Sequence, residues 1–382
     1  MKVLIFNFEY PPLGGGGGVA TKQLAEQLGK NHDIHIVTTR YGKLLAQETI
    51  NQVTVHRVKV WGRRNLPTAS IESLVTYVPA AIWCGWLILR NNNFDVINAQ
   101  FVIPSGLPAY VLAKFFGLPL VISFIGGDIF DPTKGISPHR HWWLRVLIRF
   151  LAGQAQARTA ISEDTKRRAW QLHGVDKNIV VTHLGLVPSG FVVRDRHALG
   201  WPADTPIIVT VGRLISRKGY LTLLEAWQTV TDAMLVIIGE GVERKKIEQK
   251  IRKYGLGNRV KLAGWVTEDK KQKMLAAADL YVSAAEHEGF GIVFLEAMQA
   301  GLPIVATTEG GHTDFLMEGE NALLVAPNDP VVLAVSVNKL LHDRQLRLQI
   351  SENNKEKVRE FYIDKTTARF EKVLVGVVKS RV

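Results

Sequence analysis

The chain has 382 residues, which is enough for about two domains of ordinary size, each with its own core. A hydrophobic share of 47% beside 21% charged residues is typical of a soluble globular protein, and the single cysteine, Cys84, excludes an intrachain disulfide. The formal net charge of +12 is uneven, because residues 1–190 hold 20 Lys and Arg against 11 Asp and Glu, net +9, whereas the remainder holds 27 against 24, net +3. A basic first half suits an anionic membrane or a pyrophosphate-bearing substrate, and no nucleic-acid-binding module is recognisable.

The N-terminal segment predicts a strand, a glycine-rich loop and a helix. Lys2–Phe8 reads as a strand, five glycines follow at positions 14–18, and Val19–Leu28 has helical periodicity. A second strand, Ile34–Thr39, completes the first turn of a Rossmann-like sheet. The glycines bring bare backbone to a ligand at a helix start, although such a run alone is equally compatible with a flexible loop. The apolar stretch of residues 1–9 is too short for a signal peptide and reaches an acidic residue, Glu9, too early. We therefore expect a cytoplasmic protein.

Two tryptophan-rich segments of the first half predict helices. Pro79–Arg90 is apolar on almost all sides, and its uncharged run, Val78–Leu89, is shorter than the ~20 residues that a membrane-spanning helix needs. His139–Leu151 combines tryptophans with a basic stripe, the composition of an interfacial helix. These residues are Trp142, Trp143, Arg145 and Arg149. Apolar helix faces more often cover a sheet than contact a membrane. Both interpretations, a sheet-covering helix and an interfacial helix, therefore stay open.

Two further segments, Phe94–Gln100 and Leu120–Phe124, read as buried parallel strands that end in polar or glycine-rich turns. Ligands of parallel sheets gather at such strand ends. The turn after the second of these strands carries Asp128, a residue type that often caps turns.

The segment 180–191 marks a change of domain, after which Pro206–Val211 opens a second strand, loop and helix unit like the first. The loop after this strand begins at Gly212 and carries Arg213 and Lys218, two cations five residues apart. An arginine fork and a lysine point charge at a strand's carboxyl end can clamp a diphosphate. A solvated basic loop is the alternative if the stretch is taken alone.

Positions 283–303 predict a strand end, a glycine turn and a buried helix. Gly289 and Gly291 permit a sharp turn, and Ile292–Ala300 consists mostly of helix formers. The N-terminus of such a helix suits a phosphate, while Glu288 precedes it and Glu296 lies inside it among apolar residues. Carboxylates beside a phosphate site can accept hydrogen bonds from hydroxyls, so the pattern favours a nucleotide sugar. For either glutamate alone, a helix cap or a solvated position is the simpler explanation.

The stretch Glu288-Gly-Phe-Gly-x4-Glu296, followed by Ala-Met-x-Ala-Gly-x-Pro-Ile-Val-Ala-Thr, resembles the donor-site signature of the retaining glycosyltransferases of family 4, also called glycosyl transferases group 1. Gly212-Arg213-x4-Lys218-Gly and the Pro11-Pro12 opening with its glycines match further patterns of that family. The resemblance spans nearly the whole chain. It implies an α/β fold of the GT-B type, with two Rossmann-like domains whose parallel sheets face each other across a cleft.

The resemblance also implies the domain bounds. An N-terminal acceptor-side domain is expected at residues 1–187 and a nucleotide-sugar donor-binding domain at 188–360. A terminal helix, at about 361–382, is expected to pack back on the first domain.

By the same resemblance, Glu296 holds the ribose hydroxyls of the nucleotide and Glu288 holds hydroxyls of the transferred sugar. Arg213 and Lys218 neutralise the leaving diphosphate, so the expected catalytic residues are Arg213, Lys218 and Glu288. The other expected donor-binding residues are Gly15, Gly16, Gly212, Val266, Gly289, Phe290, Gly291 and Ile292. No nucleophile is assigned, and neither a metal nor a cofactor is expected, since the sequence has no Asp-x-Asp motif.

On the acceptor side the family often has His-Gly-x-Asp where this chain has Ile125-Gly-Gly-Asp128. Asp128 is the candidate to orient the acceptor hydroxyl, with turn capping as its alternative. The implied reaction transfers a hexosyl group from a nucleotide-diphosphate sugar to an acceptor hydroxyl with retention.

The expected acceptor is a membrane-associated glycan, lipid-linked or of lipopolysaccharide type, because the basic excess and the tryptophan helices fall in the acceptor-side domain. The expected partners are the donor, that glycan and an anionic membrane surface, without nucleic acid. The expected location is cytoplasmic, with peripheral attachment to the inner face of the cytoplasmic membrane as an option. A GT-B epimerase, a phosphorylase and a non-catalytic nucleotide-sugar-binding protein remain as alternatives.

Overall fold

The computed structural model describes residues 1–64, 66, 69–133, 135–190 and 192–380. The chain forms two compact units. Unit 1 comprises residues 1–187 together with the segment from Tyr362 onward, and unit 2 is Pro188–Phe361. Phe191, in the segment expected to change domain, and positions 381 and 382 of the expected terminal helix lie outside the described residues.

Unit 1 is built on an eight-stranded sheet with the order β3-β4-β2-β1-β5-β6-β7-β8. Its strands are β1 (Lys2–Phe6), β2 (Asp33–Arg40), β3 (Gln47–Ile50), β4 (Val53–Lys59), β5 (Val96–Gln100), β6 (Leu120–Phe124), β7 (Ala157–Ala160) and β8 (Val180–Val181). Its helices are α1 (Gly16–Leu28), α2 (Ile71–Arg90), α3 (Gly106–Phe116), α4 (Trp142–Gln154), α5 (Glu163–His173) and α12 (Ile363–Lys379), with a 3₁₀ turn at Pro138–Arg140. Only the edge strand β3 pairs antiparallel with its neighbour among the described strands.

Unit 2 contains a six-stranded parallel sheet with the order β11-β10-β9-β12-β13-β14. Its strands are β9 (Ile207–Val211), β10 (Met234–Ile238), β11 (Val260–Gly264), β12 (Leu280–Val282), β13 (Ile304–Thr307) and β14 (Leu323–Val325). Its helices are α6 (Tyr220–Ala226), α7 (Arg244–Lys253), α8 (Glu268–Ala277), α9 (Ile292–Gln299), α10 (Pro330–His342) and α11 (Arg344–Lys357), and its 3₁₀ turns are Ser216–Lys218, Gly311–Asp314 and Val358–Phe361.

The strands at the centre of both sheets are buried on both faces, as near-continuous apolar runs demand. Helices therefore cover both sides of each sheet, which gives two Rossmann-like units. The predicted fold class, α/β with two parallel-sheet Rossmann-like domains, is confirmed.

Helix α12 completes the core of unit 1 although it follows unit 2 in the chain. Phe370 and Leu374 of α12 pack with Ala25 and Leu28 of α1 in one buried cluster. The burial of these apolar side chains holds α12 on unit 1.

Helix α2 differs from its sequence prediction, because it begins at Ile71 and not at Pro79. The predicted segment, Pro79–Arg90, begins at the proline, a residue that the first turn of a helix tolerates. In the structure the helix continues through Pro79, since a buried stripe on both sides of the proline packs against the sheet. Tyr77 belongs to this stripe, and its hydroxyl donates to the carbonyl oxygen of Val37 at 2.9 Å.

At 20 residues, α2 is the one helix in the described part of the chain that is long and apolar enough to cross a membrane by length and composition. This revises the expectation that the apolar run is too short. The criterion does not separate a spanning helix from one that covers a sheet. α2 buries a stripe from Ser73 to Leu89 in unit 1, and 22% of its most apolar 18 residues is buried.

Ser70→Ala is expected to lower the free energy of unfolding of unit 1 by about 1 kcal/mol. The Ser70 hydroxyl caps α2 by accepting a hydrogen bond from the Ser73 amide at 3.2 Å. Urea unfolding followed by circular dichroism measures the change, and Ser189→Ala, at an exposed position at the start of unit 2, serves as the control. An unchanged urea midpoint for Ser70→Ala contradicts a helix start at Ile71.

Candidate active site

The candidate residues of unit 2 follow three neighbouring strands. One loop, 212–219, follows β9, a second, 283–291, follows β12, and a third, 308–311, follows β13. Because β9, β12 and β13 are adjacent and parallel, their carboxyl ends meet at one edge of the sheet. The two loops that the sequence singled out, 212–219 and 283–291, are therefore brought together.

Two glycines with positive φ let these loops touch. Gly219 has φ +66°, and a Cβ atom there would overlap the carbonyl oxygen of Ala284. Gly310 has φ +129°, and a Cβ atom there would overlap the backbone of Glu288, whose carbonyl oxygen accepts from the Gly311 amide at 2.7 Å. Only glycine permits these close approaches. Gly310 was not singled out in the sequence, because its role depends on a contact between distant segments.

Lys218 and Glu288, 70 residues apart in sequence, form a buried ion pair. The Lys218 Nζ donates to Glu288 Oε2, and each side chain is 12% exposed. Arg217 lies beside them, with its Nη1 3.8 Å from the same carboxylate oxygen and 2.8 Å from the carbonyl oxygen of His287, to which it donates. The sequence showed Arg217 only as an additional cation in the loop, whereas the structure makes it a support of the Glu288 segment.

The charges around this pair stabilise the ionised form of Glu288. Burial disfavours the Glu288 carboxylate, but the charges of Lys218 and Arg217 outweigh burial and lower the pKa of Glu288 to about 2. Burial also lowers the pKa of Lys218, and the Glu288 carboxylate opposes that shift. A bound anion would meet two cations that are already fixed in place.

Arg213 is the exposed cation of the same loop. Its side chain makes no hydrogen bond or ion pair with any residue that the structure describes, and its charge acts on Lys218. Next to it, a Cβ atom built on Gly212 would lie 3.1 Å from the Tyr220 hydroxyl and 3.3 Å from Lys218 Cε. Arg213 is thus available to a ligand without breaking an existing contact.

Glu296 lies inside α9 and is 6% exposed. Its Oε1 accepts from Lys271 Nζ at 2.8 Å, and Lys271 also reaches Glu268 at 2.9 Å. Its buried Oε2 has no hydrogen-bond partner among the described residues. Burial raises the pKa of Glu296, and the Lys271 charge opposes the rise. A buried acceptor atom without a donor is costly, so this carboxylate fits a ligand that brings hydroxyl groups.

The N-terminus of α9 follows Gly291, whose φ is +85°. A Cβ atom on Gly291 would lie 2.5 Å from the Phe294 ring and 3.0 Å from Glu288 Cγ, which excludes other residue types. No described side chain caps this helix, so the first-turn amides from Ile292 onward remain suited to a phosphate. Phe290 is 2% exposed with its ring against Phe315, so only its backbone can meet a donor.

Of the remaining donor-side predictions, Gly289 lies in loop 283–291, whereas Gly15, Gly16 and Val266 lie outside the three loops. Gly15 and Gly16 form the start of α1 in unit 1, and no described atom lies within 4 Å of a Cβ built on Gly16. Val266 follows β11 in unit 2, between the exposed Trp265 and the start of α8. Gly289 has contacts of its own in the loop after β12.

Asp128, the acceptor-side candidate, is 5% exposed in unit 1. Its Oδ2 accepts from the Val102 amide at 2.7 Å and its Oδ1 from the Ile125 amide at 2.9 Å. Burial raises the pKa of Asp128 to about 6 against these hydrogen bonds. Both carboxylate oxygens therefore accept hydrogen bonds from backbone amides, as expected if Asp128 caps the turn. A contact between Asp128 and an acceptor stays a prediction.

Within the described part of the chain, no group of three or more His, Cys, Asp and Glu side chains is arranged to hold a metal ion. The charges of Lys218 and Arg217 act on Glu288, and the charge of Arg213 acts on Lys218.

Two family models match the chain. The model described as glycosyl transferases group 1 matches residues 193–357, and the model described as glycosyl transferase 4-like domain matches residues 15–185. Together they cover most of both units.

Three bacterial proteins illustrate what the chain is similar to. The N-acetyl-alpha-D-glucosaminyl L-malate synthase of Bacillus anthracis is 26% identical over 99% of this chain and 98% of its own length. The lipopolysaccharide core biosynthesis glycosyltransferase LpsE of Rhizobium meliloti is 35% identical over 43% of this chain and 48% of its own length. The structure of Anabaena HepE in complex with UDP-glucose has a TM-score of 0.80 at 21% identity, covering 98% of this chain and all of HepE, which shows a shared fold.

Proposed function

We propose a donor, a reaction and an acceptor for this chain, which belongs to the family 4-type glycosyltransferases, the glycosyl transferases group 1, and has their GT-B fold. The family predicted from the sequence is thereby confirmed, and the chain is a glycosyltransferase of glycan biosynthesis. The proposed reaction moves a hexosyl group from a nucleotide-diphosphate sugar to an acceptor hydroxyl with retention of anomeric configuration.

The donor proposal is carried by one observation, the buried Lys218 and Glu288 pair in the same unit as the open carboxylate of Glu296. Cations suit a diphosphate and carboxylates suit hydroxyls, so a ligand with both groups satisfies all of them. In this proposal, Glu296 Oε2 accepts from the ribose and Glu288 from the transferred sugar. That the HepE structure holds UDP-glucose supports a UDP-sugar as the first donor to test.

The proposed chemistry needs positive potential at the departing diphosphate. Arg213, Lys218 and the start of α9 supply it without a metal in this proposal. The bond between the sugar C1 and the phosphate oxygen breaks, a bond between C1 and the acceptor oxygen forms on the same face, and the leaving phosphate takes the acceptor proton. No enzyme nucleophile is required.

The proposed acceptor is a membrane-associated glycan, lipid-linked or of lipopolysaccharide type, and the proposed location is the inner face of the cytoplasmic membrane. The net charge of +9 on residues 1–190 supports an anionic surface. Trp83, Trp142 and Trp143 of unit 1 are 63%, 75% and 52% exposed, which supports their use outside the core. The name of LpsE places that relative in lipopolysaccharide core biosynthesis.

A panel of UDP-, GDP- and ADP-sugars tests the donor. One nucleotide is expected to raise the thermal unfolding midpoint of the full chain by a few degrees, because it binds only the folded state. Addition of EDTA is expected to leave both this shift and the rate of transfer unchanged.

The same panel discriminates the alternatives. Donor isomerisation without acceptor favours an epimerase, phosphate-dependent breakdown of a glycan favours a phosphorylase, and binding without turnover favours a non-catalytic protein. Loss of transfer in EDTA, restored by a divalent ion, contradicts the metal-free proposal.

A further inference from the structure

Three helices of unit 1 expose apolar side chains at every fourth position. This spacing places side chains on one stripe of a helix. The stripes are Ile71, Val75, Trp83 and Leu87 on α2, Val111 and Phe115 on α3, and Trp142, Val146 and Phe150 on α4. No pattern in the sequence predicted an exposed apolar stripe on α3, whose Phe115 is 72% exposed.

The three helices lie side by side. A Cβ atom on Gly85 of α2 would lie 2.5 Å from Leu112 of α3, so the two helices are in close contact. The rings of Tyr110 on α3 and Phe150 on α4 meet edge to face at 5.4 Å between centroids. The stripes therefore belong to one continuous outer layer, which we name the α2–α4 face. Apolar patches of this extent are rare on monomeric soluble proteins and mark interaction surfaces.

A groove runs between α2 and α3 on this face, with a volume of about 430 Å³. Its lining is almost entirely apolar and consists of Pro79, Ile82, Trp83, Trp86, Val111, Leu112 and Phe115. The volume falls in the range of about 300–1,000 Å³ that small-molecule sites have. A lining with so little polar surface suits a hydrocarbon chain better than a polar ligand.

The charges on the α2–α4 face are almost all positive. Across α2, α3 and α4 the sequence has four cations and one acid, Glu72, which lies in the first turn of α2. Two cations sit over aromatic rings, with Arg90 4.9 Å from the Trp86 ring and Lys114 6.0 Å from the Tyr110 ring. The other two, Arg145 and Arg149, are exposed on α4. Tryptophan and arginine around an apolar surface suit the headgroup region of an anionic bilayer.

We propose that the α2–α4 face docks unit 1 on an anionic lipid bilayer and that the groove between α2 and α3 takes one hydrocarbon chain of a membrane lipid. The inference deepens the proposed acceptor and rests on that proposed function, because it states which surface meets the membrane. Side chains on the face enter the headgroup and acyl boundary, and the cations contact lipid phosphates.

Sedimentation of the full chain with vesicles tests the docking. We expect binding to vesicles of phosphatidylglycerol and phosphatidylcholine at low salt, weaker binding in high salt and little to pure phosphatidylcholine. Val75→Asp with Val146→Asp is expected to weaken binding at least tenfold. Arg145→Gln with Arg149→Gln is expected to weaken it about 25-fold on anionic vesicles, since each cation near such a surface contributes about fivefold.

Unit 2 offers a matched control. Val331 and Val335 of α10 are 70% and 61% exposed, close to the 65% of Val75 and the 59% of Val146. The double variant Val331→Asp with Val335→Asp is expected to bind vesicles like the unaltered chain. Equal loss in both double variants, or a defined dimer of the chain without vesicles that the Val75 and Val146 changes abolish, overturns the proposal.

The groove has its own test, a phosphatidylglycerol with a photoreactive diazirine in its acyl chain. After irradiation and digestion, mass spectrometry is expected to find the label on residues 79–86 and 111–115, and Phe115→Asp is expected to reduce it at least tenfold. Label confined to α4 overturns the groove assignment.

Donor binding separates this inference from the proposed function. Calorimetry with the nucleotide sugar is expected to give the same affinity for the face variants and the unaltered chain, because none of the altered residues is among those proposed to bind the donor. Vesicle binding by a chain that binds no nucleotide sugar contradicts the proposed function and leaves the docking face standing, whereas the reverse result contradicts the docking face alone.

Discussion

Arg213→Ala is expected to lower turnover about 100-fold at saturating donor, with a smaller change in donor affinity. The proposed role of Arg213 is to stabilise charge that develops on the leaving diphosphate, and such an interaction is stronger in the transition state than in the ground state. Steady-state kinetics at saturating donor separates kcat from KM. Lys218→Ala is expected to lower turnover by a similar factor.

The two variants differ in their structural cost, which makes Arg213 the sharper probe. Arg213 is exposed and makes no ion pair with the described residues, whereas removal of Lys218 leaves the buried Glu288 carboxylate without its nearest cation. Arg252→Ala, at an exposed position on α7, serves as the control and is expected to keep full turnover. Normal turnover in a folded Arg213→Ala chain would show that loop 212–219 is a solvated basic surface.

Glu296→Ala is expected to weaken donor binding by ~1.5 to 3 kcal/mol, the value of a charge-assisted hydrogen bond. Its Oε2 is buried without a partner in the described residues, and the proposed donor supplies that partner through its ribose hydroxyls. Isothermal titration calorimetry with the nucleotide sugar and with the nucleotide alone measures the loss. Both ligands are expected to lose the same amount, because both carry the ribose.

Glu268→Ala provides a matched control for this variant. Glu268 also contacts Lys271, at 2.9 Å, but its side chain is 70% exposed. Exposed ion pairs contribute little, so Glu268→Ala is expected to leave donor affinity unchanged. Equal losses in Glu268→Ala and Glu296→Ala would assign the effect to the position of Lys271 and remove Glu296 from the donor site.

The sequence singled out the residues of loops 212–219 and 283–291 because short motifs carry them. Glycines, cations and carboxylates at fixed spacings around Lys218 and Glu288 indicated strand ends and a phosphate-binding helix start before any contact was known. That the two side chains pair with each other depends on the strand order of the sheet, which no local pattern contains.

The features that the sequence missed depend on tertiary contacts. Lys271 is one of several lysines on α8 in the sequence, and only the packing of α8 beside α9 identifies it as the partner of Glu296. Phe115 looks like a core residue of an apolar helix, and its exposure follows from which face of α3 the sheet covers. The start of α2 was misplaced because the proline at position 79 resembles a helix start locally.

The position of α12 in the chain has a consequence for folding during synthesis on the ribosome. Residues 1–187 emerge first, but part of the core of unit 1, around Phe370 and Leu374, is encoded after the whole of unit 2. At about 5–20 residues per second, unit 1 waits roughly ten seconds or more for its last helix. During that interval, in which unit 2 is synthesised, Ala25 and Leu28 lack their apolar cover, so the nascent first unit is exposed to chaperones and to aggregation.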